Sequence, residues 1–429
     1  MNRREVLAGL GGAIIGAGLP RPTSAATAQA LALRASSATL TLRPGQPKTP
    51  VWSLDGPGPL LRFKRGSDLD IALQNDLPAA VALNWHGWDG GAATEPLTGL
   101  AGVPAGAKTD FKTSLRHAGT LFGDFRLLVD GTGPPSLALP LIVEEAEPPK
   151  VDRDEVLLIE DFRLGTDGTA VAPGTNPKDA VPVYTVNRQI QPDIAAHSNE
   201  RLRLRFINGC QRHVIAVKVE GFEVRVMAMD SRPAEPFPAR NSALVLAPGG
   251  RADAFIDATA KPGSSSEILL HDGKQARPVA RLVVSAEPPA RPAPLAPAPA
   301  LPSNGLPAQL DLKSAQRLEL GLSGNDWVSP AKFATSAAPA FRVRQGRVVA
   351  LALTNRAGIA TTFHLHGHHF RLLDRLDDGW KPYWLDTLAV EPGQTQQIAF
   401  LAEYAGRYLL ESTATDWAAP RLVRWYGVE

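Results

Sequence analysis

Two short motifs contain the histidines whose spacing suits metal binding. One reads Asn84-Trp85-His86-Gly87, and the other reads His364-Leu365-His366-Gly367. Side chains two residues apart on a strand point to the same face, so His364 and His366 form a pair there. Neutral imidazole is a ligand for zinc, iron and copper. These histidines are therefore the first candidates for chemistry in this sequence.

The two motifs are parts of an internal repeat. Each copy has a turn and, nine residues later, an asparagine that ends an alternating apolar segment; the pairs are Gly66 and Asn75, Asn199 and Asn208, and Gly346 and Asn355. In the first and third copies the histidine motif begins nine residues after the asparagine. Alternation of apolar and polar residues is typical of half-buried strands, so the repeat predicts three similar β-modules.

Each copy of the repeat continues through a second turn into another alternating strand. These turns contain Pro104-Ala105-Gly106, Pro248-Gly249 and Pro392-Gly393. Glycine and proline each number 38 and aromatic residues make up only 6% of the chain, which favours short strands and tight turns over long helices. We therefore predict an all-β fold of three tandem modules, each a β-sandwich or a small barrel.

Composition also predicts the domain boundaries. At 429 residues the chain is too long for a single hydrophobic core. Residues 288–302 are almost entirely proline, alanine and leucine, a composition that predicts a stiff, extended linker. The expected domains are then residues 30–148, 149–287 and 303–429, each of a usual size for a sandwich.

The first 28 residues read as a leader for export. Arg3-Arg4 precede an apolar stretch from Val6 to Leu19, and the small residues Ala26-Thr27-Ala28 follow. Paired arginines before a weakly apolar, glycine-rich stretch predict a Tat-type signal peptide over residues 1–28, with the twin-arginine translocase as a partner during export. We expect the mature chain in the periplasm, without insertion in the membrane, since no other segment has the ~20 apolar residues of a membrane helix.

Charge and cysteine content argue against a nucleic-acid-binding protein and against a disulfide-bonded one. The leader holds three arginines and one glutamate, so the remaining chain carries equal numbers of basic and acidic residues. Such a balance gives no nucleic-acid footprint, and no nucleic-acid partner is expected. Cys210 is the only cysteine and therefore has no disulfide partner within the chain. We predict that it is a small buried apolar side chain.

These motifs resemble those of the multicopper oxidases, whose three cupredoxin domains carry histidines and one cysteine in four short copper-binding motifs. Besides the two histidine motifs, the resemblance rests on the Ala247–Asp253 turn and on Gly406-Arg407-Tyr408. It covers nearly the whole chain after the leader. The resemblance implies an all-β fold of three tandem cupredoxin-like Greek-key β-sandwich domains.

The resemblance also implies that most copper ligands are missing. The first motif has Asn84 where its first histidine belongs. The second motif should fall on Gly123-Asp124-Phe125, where Gly123 and Phe125 take the histidine positions. The third motif has Thr361 in place of the histidine of the mononuclear blue-copper site.

The fourth copper motif, which carries the cysteine, is wholly absent. It aligns on Glu411-Ser412-Thr413 and Trp417, and no histidine, cysteine or methionine occurs from Phe370 to Glu429. A blue-copper site needs a thiolate and two imidazoles. We therefore expect a copper-less relative that is not a working oxidase.

Two interpretations of the remaining histidines stay open. If the first and third modules pack as in the family, His86, His364 and His366 converge, and Glu411 or Asp124 adds a carboxylate to a site for one copper, iron or zinc ion. Alternatively, the histidines are leftovers, hydrogen-bonded to one another, to Asn84 or to water, and no cofactor is bound. The remaining histidines are expected to lie at the solvent side of the strand exit (His368, His369) or to be structural (His117, His197, His213, His271).

The resemblance suggests three functions. The leading interpretation is a protein similar to the copper-less, Tat-exported cell-division proteins of the SufI type, a non-catalytic periplasmic binding or scaffold protein with a partner in the division or envelope machinery. The alternative is a metal-dependent oxidoreductase with one residual mononuclear metal between the first and third domains. A third is a copper-binding or buffering protein, against which the methionine content argues, since only Met227 and Met229 follow the leader.

Overall fold

The computed structural model of the protein describes residues 28–373, 381 and 383–429. The predicted leader thus lies outside the described residues, except for Ala28. The described chain is built from 28 strands, one single-turn α-helix, α1 (Arg126–Val129), and two 3-10 turns, Arg240–Ser242 and Pro330–Lys332. Among these residues, no helix has the length and apolar content needed to cross a membrane.

The first eight strands form two sheets that enclose one core. Their bounds are β1 Gln29–Leu40, β2 Thr49–Asp55, β3 Leu61–Lys64, β4 Asp68–Asn75, β5 Asn84–His86, β6 Lys108–Ser114, β7 Gly119–Asp124 and β8 Leu139–Glu144. The strand orders are β2-β1-β4-β6 and β3-β8-β7-β5. Alternation along β4 buries Leu69, Ile71 and Leu73 between the sheets, as a half-buried strand requires.

The next eleven strands form a larger sandwich. Their bounds are β9 Arg153–Leu164, β10 Val181–Val186, β11 Asp193–Ala196, β12 Arg201–Asn208, β13 Ile215–Val219, β14 Arg225–Met229, β15 Arg232–Pro238, β16 Ala243–Leu246, β17 Arg251–Asp257, β18 Ser265–His271 and β19 Ala276–Val284. The strand orders are β10-β9-β12-β17-β14-β15 and β11-β19-β18-β13-β16. Both faces of β12 are buried, because a neighbouring module covers the face that points away from this core.

The last nine strands form the third sandwich. Their bounds are β20 Gln316–Gly321, β21 Arg342–Val343, β22 Val348–Thr354, β23 Thr361–Leu365, β24 Phe370–Leu372, β25 Thr387–Val390, β26 Thr395–Leu401, β27 Gly406–Ala414 and β28 Arg421–Val428. The strand orders are β20-β22-β26-β24 and β21-β28-β27-β23-β25. This arrangement confirms the predicted all-β fold of three tandem sandwiches.

The repeated asparagines have the same structural role in each sandwich. The Asn75 amide donates to the carbonyls of Ala79 and Val103, each at 2.9 Å. Its oxygen accepts the backbone N–H of Leu77, two residues further on. Asn208 and Asn355 make the same set of bonds in the other modules. The asparagine therefore ties the end of a central strand to the segment beside the Pro-Gly turn, which explains why the spacing repeats.

Five arginines of the second module, which we call the arginine wedge, are almost completely buried: Arg203, Arg205, Arg212, Arg232 and Arg251. Each forms an ion pair with at least one aspartate or glutamate. Three of these arginines contact carboxylates of the first module: Arg203, Arg212 and Arg232. Arg251 contacts a carboxylate of the third module. The second module is thus bonded to both of its neighbours through buried charge.

The predicted linker at residues 288–302 lies entirely within the described chain and forms neither helix nor strand. Leu301 is buried and packs with Met227 and Phe255 of the second module. Cys210 is also buried, in the core of the second module, as predicted.

Candidate functional site

The three motif histidines lie side by side where the first and third modules meet. His86 is on β5, and His364 and His366 stand at the end of β23. The ring centroids of His86 and His364 are 4.7 Å apart, and those of His364 and His366 are 4.5 Å apart. All three rings are buried. The structure thus brings these predicted residues together at a module boundary.

His366 is held between two carboxylates. Its Nδ1 lies 2.8 Å from Glu95 Oε1, and its Nε2 lies 2.8 Å from Glu411 Oε1. Since an ionised carboxylate only accepts hydrogen bonds, both ring nitrogens carry a proton. Burial alone would lower the pKa of His366, but the two carboxylates outweigh it and raise the pKa to about 10. His366 is therefore an imidazolium with no lone pair for a metal.

His364 keeps one nitrogen free. Its Nδ1 donates to Thr387 Oγ1 at 2.8 Å and to the Asp386 carbonyl at 3.1 Å. Burial and the neighbouring His366 hold the pKa of His364 well below its usual value, so the ring is neutral. The lone pair is then on Nε2, which has no hydrogen-bond partner among the described residues. This atom is the ligand group that the site still offers.

His86 lies between an aromatic ring and a carboxylate. The ring stacks on Phe122 with a centroid distance of 4.2 Å, and Nε2 lies 3.3 Å from Asp124 Oδ2. Burial would raise the pKa of Asp124, but Arg126 and His86 lower it to about 2. The other ring nitrogen, Nδ1, is buried without a partner within the described chain.

Glu411 connects the modules in a position that the family gives to a copper ligand. It accepts hydrogen bonds from Asn84 Nδ2 at 2.9 Å and from Arg421 Nη1 at 2.8 Å. Burial would raise the pKa of Glu411, but Arg421 and His366 hold it well below its usual range. Glu411 is therefore ionised and already bonded to three groups. We call His86, His364, His366, Glu95 and Glu411 the histidine seam.

Distances alone allow a metal at this seam. Potential ligand atoms of His364, His366 and Glu411 lie within 4.8 Å of one another, the one such group in the described part of the chain. The hydrogen bonds oppose this use of His366, because a metal would have to displace a proton that two carboxylates stabilise. The seam fits a single ion poorly and a multi-copper cluster not at all.

The second copper motif has no space for an imidazole on β7. A Cβ atom added at Gly123 would lie 2.8 Å from the Trp85 ring, closer than real Cβ contacts. Phe125, at the other ligand position, is buried in the core of the first module. The packing of these residues therefore has no place for the ligands that the family motif supplies.

The blue-copper positions carry hydroxyl groups within the third module. Phe363 pairs with Ser412 across β23 and β27, so Ser412 shares a face with Thr361, two residues before Phe363. The Ser412 hydroxyl donates to the Leu322 carbonyl. Trp417, at the last histidine position, donates from Nε1 to the Ala172 carbonyl at 3.1 Å. None of Thr361, Ser412 and Trp417 supplies an imidazole or a thiolate, the donors that blue copper requires.

A small cavity of about 20 Å³ adjoins the seam. Its lining includes His86, His364 and Glu411. Thr362 and Arg421, which both pair with Thr413 on neighbouring strands, also line it. This volume is enough for one water molecule. Thr362 Oγ1 and Arg421 Nε are buried without a hydrogen-bond partner in the described chain.

The expectation that His368 and His369 lie at the solvent side is wrong. Their exposures are 2% and 3%. His368 Nδ1 lies 2.7 Å from the Tyr426 hydroxyl, and His369 Nδ1 lies 2.7 Å from Asp89 Oδ1 of the first module. The turn after the strand leaves its own sheet, but other parts of the fold cover it.

The other four histidines lie outside the seam. His213 Nδ1 lies 3.0 Å from Asp161 Oδ2 within the second module, and His117 contacts Asn304 and the third module. His197 is partly exposed, and His271 is exposed. None of these four histidines contacts a residue of the seam.

Sequence reasoning missed Glu95, which is a member of the seam, and Arg421, which pairs with Glu411 beside it. Glu95 stands in a loop after the first histidine motif, outside any repeat. Arg421 is opposite Thr413 in the pairing of β27 and β28, so a correct pairing of these strands would have placed it beside a vacated ligand position.

Comparison with known proteins identifies relatives along the whole chain. Family models described as multicopper oxidase match residues 37–122, 162–265 and 307–429. Multicopper oxidase MmcO of Mycobacterium tuberculosis is 24% identical over 468 residues, which cover 94% of this chain and 87% of that protein. Copper resistance protein A of Pseudomonas syringae pv. tomato is 25% identical over 298 residues, covering 56% of this chain and 48% of that protein.

Solved structures agree with this assignment. A multi-copper oxidase from Pseudomonas thermotolerans superposes with a TM-score of 0.79 at 24% identity, covering 94% of this chain and all of that one. Lac15 from a marine microbial metagenome gives 0.77 at 27% identity, covering 93% of this chain and 100% of its own. The three sandwiches are therefore cupredoxin-like, and the chain belongs to the multicopper oxidase family.

Proposed function

We propose that this protein is an exported, non-catalytic binding or scaffold protein built on the multicopper oxidase fold. The observation that carries the proposal is the state of His366, whose two ring nitrogens each contact a carboxylate oxygen at 2.8 Å. With a proton on each ring nitrogen, both positions through which the imidazole could bind copper are occupied. In the proposal, a buried ion-pair network holds the first and third modules together where the family holds copper.

The vacated blue-copper site supports the same proposal. Oxidases of this family take electrons from a substrate at the blue-copper site, and Thr361 and Ser412 offer hydroxyl groups there. Named relatives of this chain are oxidases, so the proposal rests on the residues in which this chain departs from them, and not on the fold.

The proposed location is the periplasm, reached by the twin-arginine route, and the proposed partner belongs to the division or envelope machinery. The leader motif supports the route. The sequence contains no motif that identifies the partner, so the test is genetic. Under this proposal, deleting the gene impairs division under envelope stress, and a His364→Gln variant restores it as well as the wild type does.

A second function, a metal-dependent oxidoreductase with one metal at the seam, is favoured by one observation. His364 is neutral and its Nε2 lone pair is free beside His86 and Glu411. One copper, iron or zinc ion could bind there if Glu411 exchanged its hydrogen bonds for the metal. The chemistry that such an ion supplies is Lewis-acid or one-electron chemistry at the cavity beside the seam.

Metal content separates the two functions. The exported protein is purified, incubated with copper, iron or zinc, and analysed by plasma mass spectrometry, alongside a His364→Gln variant and a control with the exposed His271→Gln change. We expect metal far below one equivalent in all three proteins, and no oxygen consumption with a phenol, a cuprous salt or a ferrous salt. One equivalent that is lost only in His364→Gln would overturn the non-catalytic proposal in favour of the metal site.

A further inference from the structure

A tyrosine and a histidine from different modules meet at the surface, away from the histidine seam. The Tyr404 hydroxyl lies 3.1 Å from His117 Nε2. Tyr404 belongs to the third module and His117 to the first, and both side chains are partly exposed. We call these two residues the Tyr404–His117 pair.

The direction of the hydrogen bond is fixed by the other side of the imidazole. His117 Nδ1 lies 3.0 Å from the backbone carbonyl of Asn304, which can only accept. The imidazole proton is therefore on Nδ1, and Nε2 carries a lone pair. The Tyr404 hydroxyl must then donate to Nε2, so a phenolic proton already points at a base.

The protonation states suit transfer of that proton. Burial and the nearby Arg232 lower the pKa of His117 to about 4, so the imidazole is neutral and can accept a proton. Burial and Asp89 raise the pKa of Tyr404 to about 12, so the phenol does not ionise on its own. A proton moves along this bond when the phenol first becomes far more acidic, as it does on losing an electron.

The surroundings of Tyr404 give access from solvent and contact with inner rings. The Arg116 guanidinium lies 5.1 Å from the Tyr404 ring centroid on the surface. On the inner side, the His368 ring is 5.7 Å away, and the Tyr408 ring is 5.0 Å from His368. A half-exposed ring at the end of such an aromatic cluster is within reach of an oxidant in solution.

We propose that the Tyr404–His117 pair is a proton-coupled one-electron donor to radical oxidants that arrive from solvent. Tyr404 gives one electron to the oxidant, and its O–H bond breaks as the proton passes to His117 Nε2. The products are a neutral tyrosyl radical, an imidazolium at His117 and the oxidant reduced by one electron. This activity needs no metal and is independent of the function proposed above.

A purely structural role is the competing explanation. Asn304, which accepts from His117, also donates from Nδ2 to the Ala118 carbonyl at 2.7 Å. The pair therefore also helps to hold the segment before the third module. A structural role predicts lower stability when His117 is changed, but no change in the rate of tyrosine oxidation.

The test uses flash photolysis of the full exported protein with a photo-oxidised ruthenium tris-bipyridine complex as the one-electron oxidant. Formation of the tyrosyl radical is followed by transient absorption and by electron paramagnetic resonance. The variants are Tyr404→Phe, His117→Gln, which keeps a hydrogen-bond acceptor but no base, and Tyr383→Phe, a matched control at another partly buried tyrosine of the third module.

We expect most of the radical signal to disappear in Tyr404→Phe and to persist in Tyr383→Phe. In His117→Gln, loss of the base should slow radical formation about a hundredfold. Deuterated solvent should slow the wild type, because the proton moves with the electron, and this measurement requires no variant to fold. A radical signal that survives in Tyr404→Phe, or equal rates in the wild type, in His117→Gln and in deuterated solvent, would overturn the proposal.

Discussion

The histidine seam and the arginine wedge are both buried ionic regions between modules, but they differ in what their polar atoms still offer. In the wedge, the guanidinium groups bind carboxylates and carbonyls of all three modules; Arg251, for example, bonds Asp386, the Gly249 carbonyl and the Thr120 carbonyl. In the seam, His364 Nε2 and His86 Nδ1 have no partner within the described chain. Arg203 Nε and Arg232 Nη1 of the wedge also have no partner there, but they are N–H donors without a lone pair, so of the two regions the seam is the one whose free nitrogens could bind a metal.

This difference shows how completely each region satisfies its buried polar groups, since an unpaired buried charge is costly. Glu411 and Arg421 satisfy His366 and each other, yet Thr362 Oγ1 remains unpaired. In the wedge, every guanidinium is paired with at least one carboxylate, although Arg203 Nε and Arg232 Nη1 have no partner in the described chain. The seam is therefore expected to tolerate substitution better than the wedge.

The largest effect is expected in the wedge, from Arg251→Met. Arg251 Nη2 lies 2.5 Å from Asp386 Oδ2, and the change would leave the buried Asp386 without its main partner. Removing one member of a buried ion pair destabilises a protein by about 3–5 kcal/mol. Urea denaturation followed by circular dichroism measures the free energy of unfolding.

The matched control for this prediction is Arg281→Met in the same module. Arg281 forms a similar two-point contact with Asp193, at 2.8 and 2.9 Å, but on the surface. An exposed pair of this kind adds little to stability, so the control should unfold like the wild type. Equal losses in the two variants would contradict the distinction between buried and exposed pairs on which the comparison rests.

A pH-dependent effect is expected in the seam from His366→Gln. The folded pKa of His366 is raised to about 10, above the usual 6.5, so its ion pairs stabilise the fold fully below pH 6.5. That contribution is lost as the pH rises from 6.5 to 10, by up to about 1.4 kcal/mol per pH unit. The free energy of unfolding of the wild type should therefore fall over this range, and His366→Gln should lack this part of the slope.

The exposed His271→Gln change provides the control for that slope. It leaves the seam intact, so its stability should follow the wild type from pH 6.5 to 10. If His366→Gln also followed the wild type, the imidazolium between Glu95 and Glu411 would be refuted.

The smallest effects are expected when one threonine at each region is replaced by valine. Thr362→Val in the seam removes a buried hydroxyl that has no partner, and it should stabilise the protein by about 1 kcal/mol. Thr120→Val in the wedge removes a hydroxyl that donates to Asp253 Oδ1 at 2.6 Å and accepts from Arg205 Nη1 at 2.8 Å. That change should destabilise the protein by about 1–3 kcal/mol, so melting temperatures should shift in opposite directions. Shifts of the same sign would count against unequal bonding in the two regions.

The fold was predictable because its signals are local and repeated. The spacing of Asn75, Asn208 and Asn355 marks the same hydrogen-bonded strand end three times, and it gave the number of sandwiches without knowledge of their packing. Strand alternation also predicted that His364 and His366 share a face. Their approach to His86 was expected only through the family resemblance.

What could not be predicted depends on contacts between modules. Strand β12 carries Arg201, Arg203 and Arg205 at alternate positions, a pattern that indicates a charged face in solvent. The first module contacts Arg203 and Arg205, and the linker contacts Arg201, so all three arginines are buried with their carboxylates. The same cause explains the error at His368 and His369. Alternation tells which residues share a face, but not what lies against it.

The contact between Gly123 and Trp85 limits which side chains β7 can carry. A Cβ atom at residue 123 would lie 2.8 Å from the indole, so the indole would have to move or be replaced. Trp85 has a second large neighbour in Trp88, with ring centroids 5.3 Å apart, which restricts that movement. We therefore expect that a single substitution cannot introduce a metal-binding histidine at this position, and that an engineered site would also need a smaller side chain at residue 85.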